Sequence, residues 1–233
     1  MTFDSFRAFL TEAFPAVTPE QLDRFERMEP LYREWNAKIN VISRKDLDCL
    51  YDHHVLHSLS IAKYLSLLGE GFRAEEPHTV LDLGTGGGFP GIPLAVMLPG
   101  WQFTLCDSIG KKTRVALAVA EALGLENVTV VNARAESLSG PFDFVVSRAV
   151  TSLDQFFSWV EAQFTKAVFY LKGGDINPEI SDLLRKSGLS ASAVHCWKID
   201  SFIKDDYFAE KFVIHIEKNY LCSPKSVKYK NKR

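Results

Sequence analysis

Long apolar runs, paired cysteines and a strong net charge are all missing from this sequence of 233 residues. No stretch of about 18 apolar residues exists, so no membrane-spanning helix is expected. The first residues contain Asp4 and Glu12 and no long apolar run, so no secretory signal peptide is expected either. The four cysteines form no Cys-x-x-Cys pair, which is typical of reduced thiols rather than a disulfide framework. These absences together predict a cytoplasmic protein with no membrane partner.

The formal net charge of −2 does not by itself indicate a nucleic-acid-binding protein. The charge is unevenly distributed, however. Residues 221–233 contain four lysines and one arginine and no acid, so the remainder of the chain carries a formal charge of −7. Such a basic tail either contacts phosphate groups or is simply solvated, and both interpretations stay open.

Apolar residues at three- and four-residue steps predict helices over residues 19–39 and from Asp46 to Leu68, with a shorter helix near residues 3–14. Pro30 is expected to interrupt or bend the first of these. Gly69 is a suitable C-terminal residue for the second. The pattern predicts an N-terminal helical region (1–70) packed on a catalytic domain (71–220), followed by the basic C-terminal tail (221–233).

From Thr79 onward, short apolar strand candidates alternate with helix candidates, which predicts a mostly parallel sheet covered on both faces. The strands are expected at Thr79–Leu83, Trp101–Cys106, Val128–Val131, Phe142–Ser147 and Ala167–Leu171, and the helices at Gly91–Leu98, Lys111–Leu123 and Leu153–Phe164. Two later strands, Ser192–Ile199 and Lys211–Glu217, lack a crossover helix between them. We therefore expect a Rossmann-like α/β fold with an antiparallel edge pair.

A glycine-rich turn follows the first strand, in the segment Val80-Leu-Asp-Leu-Gly-Thr-Gly-Gly-Gly-Phe-Pro-Gly91. Glycines allow the backbone to turn tightly and to approach a ligand at the carboxyl edge of the sheet, so Gly84 and Gly86 are candidate cofactor-binding residues. Gly86-x-Gly88-x-x-Gly91 also matches the dinucleotide-binding pattern, which keeps NAD and FAD open as ligands.

Asp82 distinguishes between the possible ligands of this turn. No Lys or Arg lies between Thr79 and Trp101, so a pyrophosphate would meet only the repelling carboxylate. S-adenosylmethionine brings a positive sulfonium and a positive ammonium, which the carboxylate attracts. Asp82 is therefore predicted to bind this cofactor, with a purely loop-orienting role as the alternative.

Asp107 ends the second strand, where a carboxylate commonly accepts hydrogen bonds from an adenosine ribose. A helix N-cap is the alternative role for this residue. The loop after the third strand offers the Ala135 N–H and the Glu136 carboxylate to an adenine. Asp107, Ala135 and Glu136 are therefore predicted to bind the adenosine part of the cofactor.

The fourth strand ends in Ser147-Arg-Ala149, where methyl transfer is expected. No Asn/Asp-Pro-Pro-Tyr is present to hold an exocyclic amine, and no Pro-Cys supplies a nucleophile to a pyrimidine. The atom that accepts the methyl group is therefore expected to have a free lone pair, as guanine N7 does. Arg148 is the candidate catalytic residue, orienting substrate or cofactor, because a guanidinium pairs well with phosphate or carboxylate. Its alternative role is a structural ion pair.

Several motifs between Leu31 and Gly173 together resemble the RsmG (GidB) family. They are Trp35-Asn-Ala-Lys-Ile-Asn40, His54-Val-Leu-His-Ser58, Leu81-Asp-Leu-Gly-Thr-Gly-Gly-Gly-Phe-Pro-Gly-Ile-Pro93, Asp107-Ser-Ile-Gly-Lys-Lys112, Ser147-Arg-Ala149 and Leu171-Lys-Gly173. The Gly-Phe-Pro-Gly-Ile-Pro segment is highly specific, whereas the resemblance is weak before Leu31 and silent after Gly174.

The resemblance implies an S-adenosylmethionine-dependent enzyme that methylates guanine N7 at position 527, in the 530 loop of bacterial 16S ribosomal RNA. The family's cofactor positions correspond to five residues of this chain: Gly84, Phe89, Ala135, Glu136 and Arg148. One departure is His57, where the family often has Asp, so the role of that carboxylate does not transfer. The resemblance also implies a partner, either the free RNA or a small-subunit particle; a monomer is expected, and DNA is not.

RNA contacts are expected from cations around the cofactor mouth, namely Lys111, Lys112, Arg114, Arg134 and Lys172, with Lys38 and Arg44 as further candidates. Cys49, His53 and His57 stand at four-residue steps, a spacing that can bind zinc. No carboxylate completes this set in sequence, and the family resemblance implies no metal. We therefore expect helix packing there and no metal site.

Three alternatives to this function stay open at the level of sequence. The Gly86-x-Gly88-x-x-Gly91 pattern allows an NAD-type oxidoreductase. The cofactor fold also allows a non-catalytic RNA-binding ribosome assembly factor. The acidic body of the protein allows a methyltransferase that acts on a small molecule.

Overall fold

The computed structural model describes residues 1–43, 45–69, 76–138 and 140–218. In these ranges, seven strands form one sheet in the order β3-β2-β1-β4-β5-β7-β6. The strands are β1 (Thr79–Leu83), β2 (Gln102–Asp107), β3 (Val128–Asn132), β4 (Phe142–Arg148), β5 (Phe164–Gly173), β6 (Val194–Lys198) and β7 (Lys211–Glu217). The first five are parallel, and β7 runs antiparallel to both β5 and β6. The predicted fold class, with its antiparallel edge pair, is confirmed.

Within the described part of the chain, seven α-helices surround this sheet. They are α1 (Phe3–Ala13), α2 (Pro19–Lys38), α3 (His57–Leu67), α4 (Gly91–Met97), α5 (Gly110–Ala122), α6 (Leu153–Val160) and α7 (Asn177–Ser187). Alternating strand residues divide the core into two layers: Val80 packs with the layer that holds α2–α5, and Leu81 with the layer that holds α6 and α7. The N-terminal helices thus cover one face of the sheet. Within the described ranges, every helix is too short or too polar to span a lipid bilayer.

Of the two expected effects of Pro30, interruption or bending, the interruption does not occur, because α2 continues through this residue. Proline has no N–H to donate to the carbonyl four positions earlier, which is that of Glu26. The hydroxyl of Tyr51 donates to the carbonyls of Phe25 and Glu26, at 3.2 and 3.3 Å. Tyr51 therefore supplies the hydrogen-bond donor that the Glu26 carbonyl lacks because residue 30 is proline.

The predicted helix over Asp46–Leu68 is present but irregular. A 3₁₀ turn at Leu47–Cys49 leads into a π-helix at Leu50–Leu56, which continues directly as α3. A π-helix has more residues per turn than an α-helix, so side chains four residues apart no longer share one face strictly.

Most strand and helix limits agree with the expected ones to within a few residues, and the largest error is at α6. This helix ends at Val160, whereas Phe164, expected as its last residue, begins β5. Phe164 pairs with Phe142 of the neighbouring strand and is buried. The apolar residues in this stretch suit either element, so periodicity alone does not separate them. The predicted division at residue 70 falls in 70–75, and the basic tail in 219–233, both outside the described residues.

Candidate functional site

A cleft opens at the carboxyl edge of the sheet, where β1, β2 and β4 end next to one another. It encloses roughly 530 Å³, a volume in the range of small-ligand sites. Its lining is formed by Leu83, Gly84, Asp107, Ser108, Ile109, Lys112, Ala133, Arg134, Ala135, Glu136, Arg148, Ala149, Val150 and Trp159. Five of the predicted cofactor residues therefore lie together here, whereas Asp82, Gly86 and Phe89 do not line the cleft.

The backbone of the glycine turn lines the cleft directly at Gly84. Gly84 has a φ of +74°, in the left-handed region that disfavours side chains. Its N–H donates to the carbonyl of Cys106 at 2.8 Å, which attaches the turn to the end of β2. A Cβ at Gly84 would lie 2.4 Å from Cγ2 of Val150. Both its φ and its close neighbour therefore require glycine at this position.

Asp82 lies beneath this turn and is fully buried. Its Oδ2 accepts hydrogen bonds from the Thr85 hydroxyl at 2.6 Å and from the Gly91 N–H at 2.8 Å. Oδ1 has no hydrogen-bond partner among the described residues. Burial raises the pKa of this carboxyl from 3.8 to about 7, against the opposing effect of its hydrogen bonds. The loop-orienting contacts are therefore present, while attraction to a cofactor cation stays a prediction.

Asp107 joins two loops at the floor of the cleft. Its Oδ2 accepts from the Gly86 N–H at 2.9 Å, and its Oδ1 accepts from the Ile109 N–H at 2.8 Å. The residue is not a helix N-cap, because Ile109 occupies that position before α5. Gly86 thus belongs to the site through Asp107, without lining the cleft itself.

The loop after β3 forms a short 3₁₀ turn, Ala135–Ser137, along one wall of the cleft. Ala135 is buried in this turn, and Glu136 is exposed. Both residues line the same cleft as Asp107, so their positions are compatible with the predicted adenine contacts.

Arg148 extends from the end of β4 and is enclosed by the N-terminal region. Its guanidinium donates to the carbonyl of His53 at 3.3 Å, contacts Nδ1 of His54 at 3.0 Å and lies 5.5 Å from the centroid of the Phe89 ring. Burial lowers the pKa of Arg148. Within the described ranges, no carboxylate oxygen lies within 4 Å of this guanidinium. The alternative role of a structural ion pair therefore finds no partner here.

Phe89 lies behind the cleft instead of facing it. Its ring is buried against those of Tyr32 and His54, at centroid distances of 4.8 and 5.2 Å. The Tyr32 hydroxyl in turn donates to the carbonyl of Gly87 at 2.9 Å. Phe89 thus supports Arg148 and the glycine turn from the core.

The predicted RNA-binding cations divide into two groups. Lys112 and Arg134 line the cleft, and Lys111 and Arg114 lie near Lys112 on the first turns of α5. None of these four forms an ion pair with a described residue. Two others are already paired: Lys172 with Glu179 at 2.9 Å, and Lys38 with Glu34 at 2.7 Å. Arg44 lies outside the described residues.

Among the described residues, the side chains of Cys49, His53 and His57 do not form a cluster of metal ligands. His53 bonds to Asp46 and stacks on Tyr207 at 3.6 Å, whereas the His57 side chain is buried against Phe208. The described residues contain a different group of potential ligands at the far edge of the sheet: His195, His215 and Glu217. There the His195 ring is 3.2 Å from Glu217, and the Tyr64 hydroxyl is 3.3 Å from Nδ1 of His215.

Sequence reasoning missed the residues that reach the site from other elements. His54 appears in a recognised motif, but nothing in its spacing predicts a contact with Arg148, 94 positions later. Ile109, Val150 and Trp159 line the cleft as apolar residues. In sequence, all three resemble ordinary core residues. In the structure, Ile109 and Val150 are instead exposed, by 41% and 39%, which marks them as part of a surface site.

Comparison with known proteins places this architecture in a family. The family described as rRNA small subunit methyltransferase G (GidB) matches residues 21–200. A ribosomal RNA small subunit methyltransferase G from Christiangramia forsetii is 43% identical over 219 residues, covering 91% of this chain and 97% of the relative. Its counterpart from Flavobacterium psychrophilum is 46% identical over 211 residues, covering 87% and 94%.

A solved structure supports the fold independently. The chain is similar to magnesium protoporphyrin IX methyltransferase from Synechocystis, a crystal structure with bound SAM, with a TM-score of 0.58 and 16% identity. That match covers 88% of this chain and 99% of the other. At this identity the likeness concerns the fold alone, whereas the family match spans most of the sequence. The chain therefore belongs to the GidB family of rRNA small subunit methyltransferases G.

Proposed function

We propose that this protein transfers a methyl group from S-adenosylmethionine to N7 of a guanine in 16S ribosomal RNA, the guanine of the 530 loop that the family resemblance implies. Membership of the rRNA methyltransferase family supports the reaction and the RNA substrate. The observation that carries the cofactor assignment is the cleft itself, where the Asp107 carboxylate lies at the floor between the Gly84 turn and the Ala135 turn. A cytoplasmic, monomeric enzyme is part of this proposal.

The residues at the cleft fit the proposed cofactor. Asp107 is held by two backbone N–H groups and retains lone pairs for ribose hydroxyls. Asp82 supplies a buried acidic group beneath the glycine turn. Arg148 supplies a cation that forms no ion pair with a described carboxylate. The sheet order also differs from the classical dinucleotide-binding order, since an antiparallel β7 lies between β5 and β6. This argues against the oxidoreductase alternative.

Methylation at N7 makes modest chemical demands on the protein. When bound, the cofactor supplies a methyl group on a sulfonium, which the N7 lone pair attacks in line while the sulfur leaves as a neutral thioether. Neutral guanine has no proton to lose from N7, so the site requires no general base. Its residues contribute by aligning the reactants and excluding water. In this proposal Arg148 orients the anionic part of the cofactor.

The decisive experiment uses small-subunit particles that lack the modification. We expect labelled S-adenosylmethionine to transfer its methyl group to them in the presence of the protein, and cleavage at 7-methylguanine to map to one position. Binding of particles without transfer would instead indicate a ribosome assembly factor. Transfer to a small molecule alone, or calorimetric binding of NAD in place of S-adenosylmethionine, would contradict the proposal.

Lys111 and Lys112 are proposed to contact the RNA backbone next to the cleft. Both lie in the first turn of α5, which contains no acidic residue. Cations are unfavourable at the positive end of a helix dipole, so helix stability does not explain them. Replacing both lysines by Glu, which reverses their charge, is expected to weaken RNA binding and to reduce its dependence on salt concentration. An unchanged affinity and salt slope, measured by filter binding, would remove these residues from the interface. The control is Lys198→Glu, an exposed lysine of β6 at the opposite edge of the sheet.

Cofactor binding is expected to release a proton from Asp82. Its pKa of about 7 leaves the carboxyl largely protonated below neutrality, whereas a cationic ligand favours the ionised form. Affinity for S-adenosylmethionine should therefore rise as pH increases toward 7 and level off above it. Calorimetry in buffers of different ionisation enthalpy measures the released proton directly. Asp82→Asn should lose both the proton release and the pH dependence; retention of either in this variant would refute the assignment.

A further inference from the structure

The Arg148 guanidinium carries its charge into a largely apolar setting. It lies above the Phe89 ring, and its hydrogen bonds go to the His53 carbonyl and to the His54 ring. Both acceptors are neutral groups, and the described carboxylates that act on this charge, Asp82 and Asp46, lie more than 4 Å away. Burying a charge without an opposite charge in direct contact is costly, so such an arrangement is retained where an external anion completes it.

The contact between Arg148 and His54 defines the state of the imidazole. A guanidinium has only donors, so Nδ1 of His54 must present its lone pair, and the ring proton must reside on Nε2. Burial, followed by the nearby charge of Arg148, lowers the pKa of His54 from 6.5 to about 3. The imidazole is therefore neutral throughout the physiological range. It directs the guanidinium without cancelling its charge.

Two adjacent histidines of the π-helix contact Arg148 in different ways. At His53 the carbonyl accepts from Arg148, while the ring points elsewhere, to Asp46 and the Tyr207 ring. At His54 the ring itself meets the guanidinium. One wide helical turn thus supplies two consecutive acceptors to the same cation, and such turns are frequent at functional sites.

A carboxylate in place of His54 would have a different effect on the cleft. It would pair with the guanidinium and hold it firmly, but the pair would have no net charge to offer a ligand. Asp82 does not take this role, because neither of its oxygens lies within 4 Å of the guanidinium: Oδ2 accepts from Thr85 and Gly91, and Oδ1 has no partner among the described residues. Arg148 reaches the same cleft as Gly84 and Asp107, so its charge is available to a ligand bound there.

We propose that His54 is a positioning residue, whose neutral ring orients Arg148 so that the guanidinium keeps its full charge for the carboxylate of the bound cofactor. This inference rests on the proposed function, because it names the group of S-adenosylmethionine that the cation receives. It assigns to His54 no contact with the reacting atoms.

The test compares two ligands that differ in that carboxylate alone: S-adenosylmethionine and its decarboxylated form. Dissociation constants for both are measured by calorimetry on the full-length protein and on three variants, His54→Gln, His54→Glu and His54→Leu. A charge-assisted contact gives the wild type a preference of roughly tenfold or more for the carboxylated ligand. Gln and Glu have nearly the same shape, so they form a matched pair that differs in charge.

His54→Gln offers a neutral acceptor and should retain the wild-type preference to within about threefold, on the scale of one weakened hydrogen bond. His54→Glu should retain a folded protein and lose the preference, because its carboxylate neutralises Arg148. His54→Leu should lose most of the preference because the guanidinium is no longer directed. Equal preferences in the Gln and Glu variants, or an unchanged preference in the Leu variant, would overturn the inference.

The outcome separates this inference from the proposed function. Failure of the wild type to bind S-adenosylmethionine, or to methylate small-subunit particles, would remove the proposed function itself. Normal binding and methylation by the wild type, with equal preferences in the Gln and Glu variants, would remove only the role of His54. A merely structural role would change thermal stability and the affinities for both ligands together, leaving their ratio unchanged.

Discussion

Asp107→Ala is expected to reduce S-adenosylmethionine binding about a hundredfold or more, and with it methyl transfer to small-subunit particles. The carboxylate holds the Gly86 and Ile109 N–H groups, so its removal loosens both loops that border the cleft. It is also the proposed acceptor for the ribose hydroxyls. Hydrogen bonds to charged groups contribute about 1.5–3 kcal/mol each, and two of them give an effect of this size.

Asp107→Asn is the matched control for this prediction. The amide keeps the shape of the side chain and one acceptor oxygen, but it replaces the other acceptor by a donor. We expect cofactor affinity between those of the wild type and the Ala variant, as measured by calorimetry. Full methyl transfer by Asp107→Ala would overturn the ribose assignment, since neither the loops nor the cofactor would then depend on the carboxylate.

Gly84→Ala should have the second large effect, again on cofactor binding. At a φ of +74° a side chain costs roughly 1–2 kcal/mol of backbone strain. The new Cβ would also meet Cγ2 of Val150 at 2.4 Å, so either Val150 or the turn must shift. Because both segments line the cleft, we expect at least a tenfold loss of affinity for S-adenosylmethionine, measured by calorimetry.

Gly188→Ala is the control that separates the effect of backbone strain from that of the steric clash with Val150. Gly188 ends α7 with a φ of +70°, and a Cβ there would meet nothing within 4 Å. Thermal denaturation should show similar destabilisation from backbone strain in both variants, with an additional loss in Gly84→Ala. Only Gly84→Ala should lose cofactor affinity. If both variants bind the cofactor like the wild type, the turn is not part of the binding site.

The elements with a strong local signal were predictable from sequence. The alternation of strands and helices after Thr79 predicted the five parallel strands in the correct order along the chain. A strand followed by a glycine turn must place its end at the carboxyl edge of a parallel sheet. Asp107 and Arg148 each stand at such an end, so their approach to one cleft follows from the topology.

Other features depended on partners that local patterns do not reveal. Periodicity could not show that Tyr51 would provide the hydrogen bonds that let α2 continue through Pro30. It predicted a uniform helix where a π-helix stands, and it therefore grouped Cys49, His53 and His57 on one face. Lys172 was predicted to contact RNA, but Glu179 of α7 pairs with it, so it is a weaker RNA candidate than Lys111 and Lys112, which form no ion pair with a described residue.

Backbone sterics and hydrophobic periodicity act between near neighbours in the chain, so the sheet, the glycine turn and the carboxylate at the end of β2 follow from local sequence. The environment of Arg148, in contrast, is created by packing between distant segments. Whether its charge is compensated depends on which groups the N-terminal region brings to it, and His53 and His54 come from more than 90 positions away. Burial and pairing are properties of the packed molecule, so the electrostatic character of this cleft emerges only when the chain is folded.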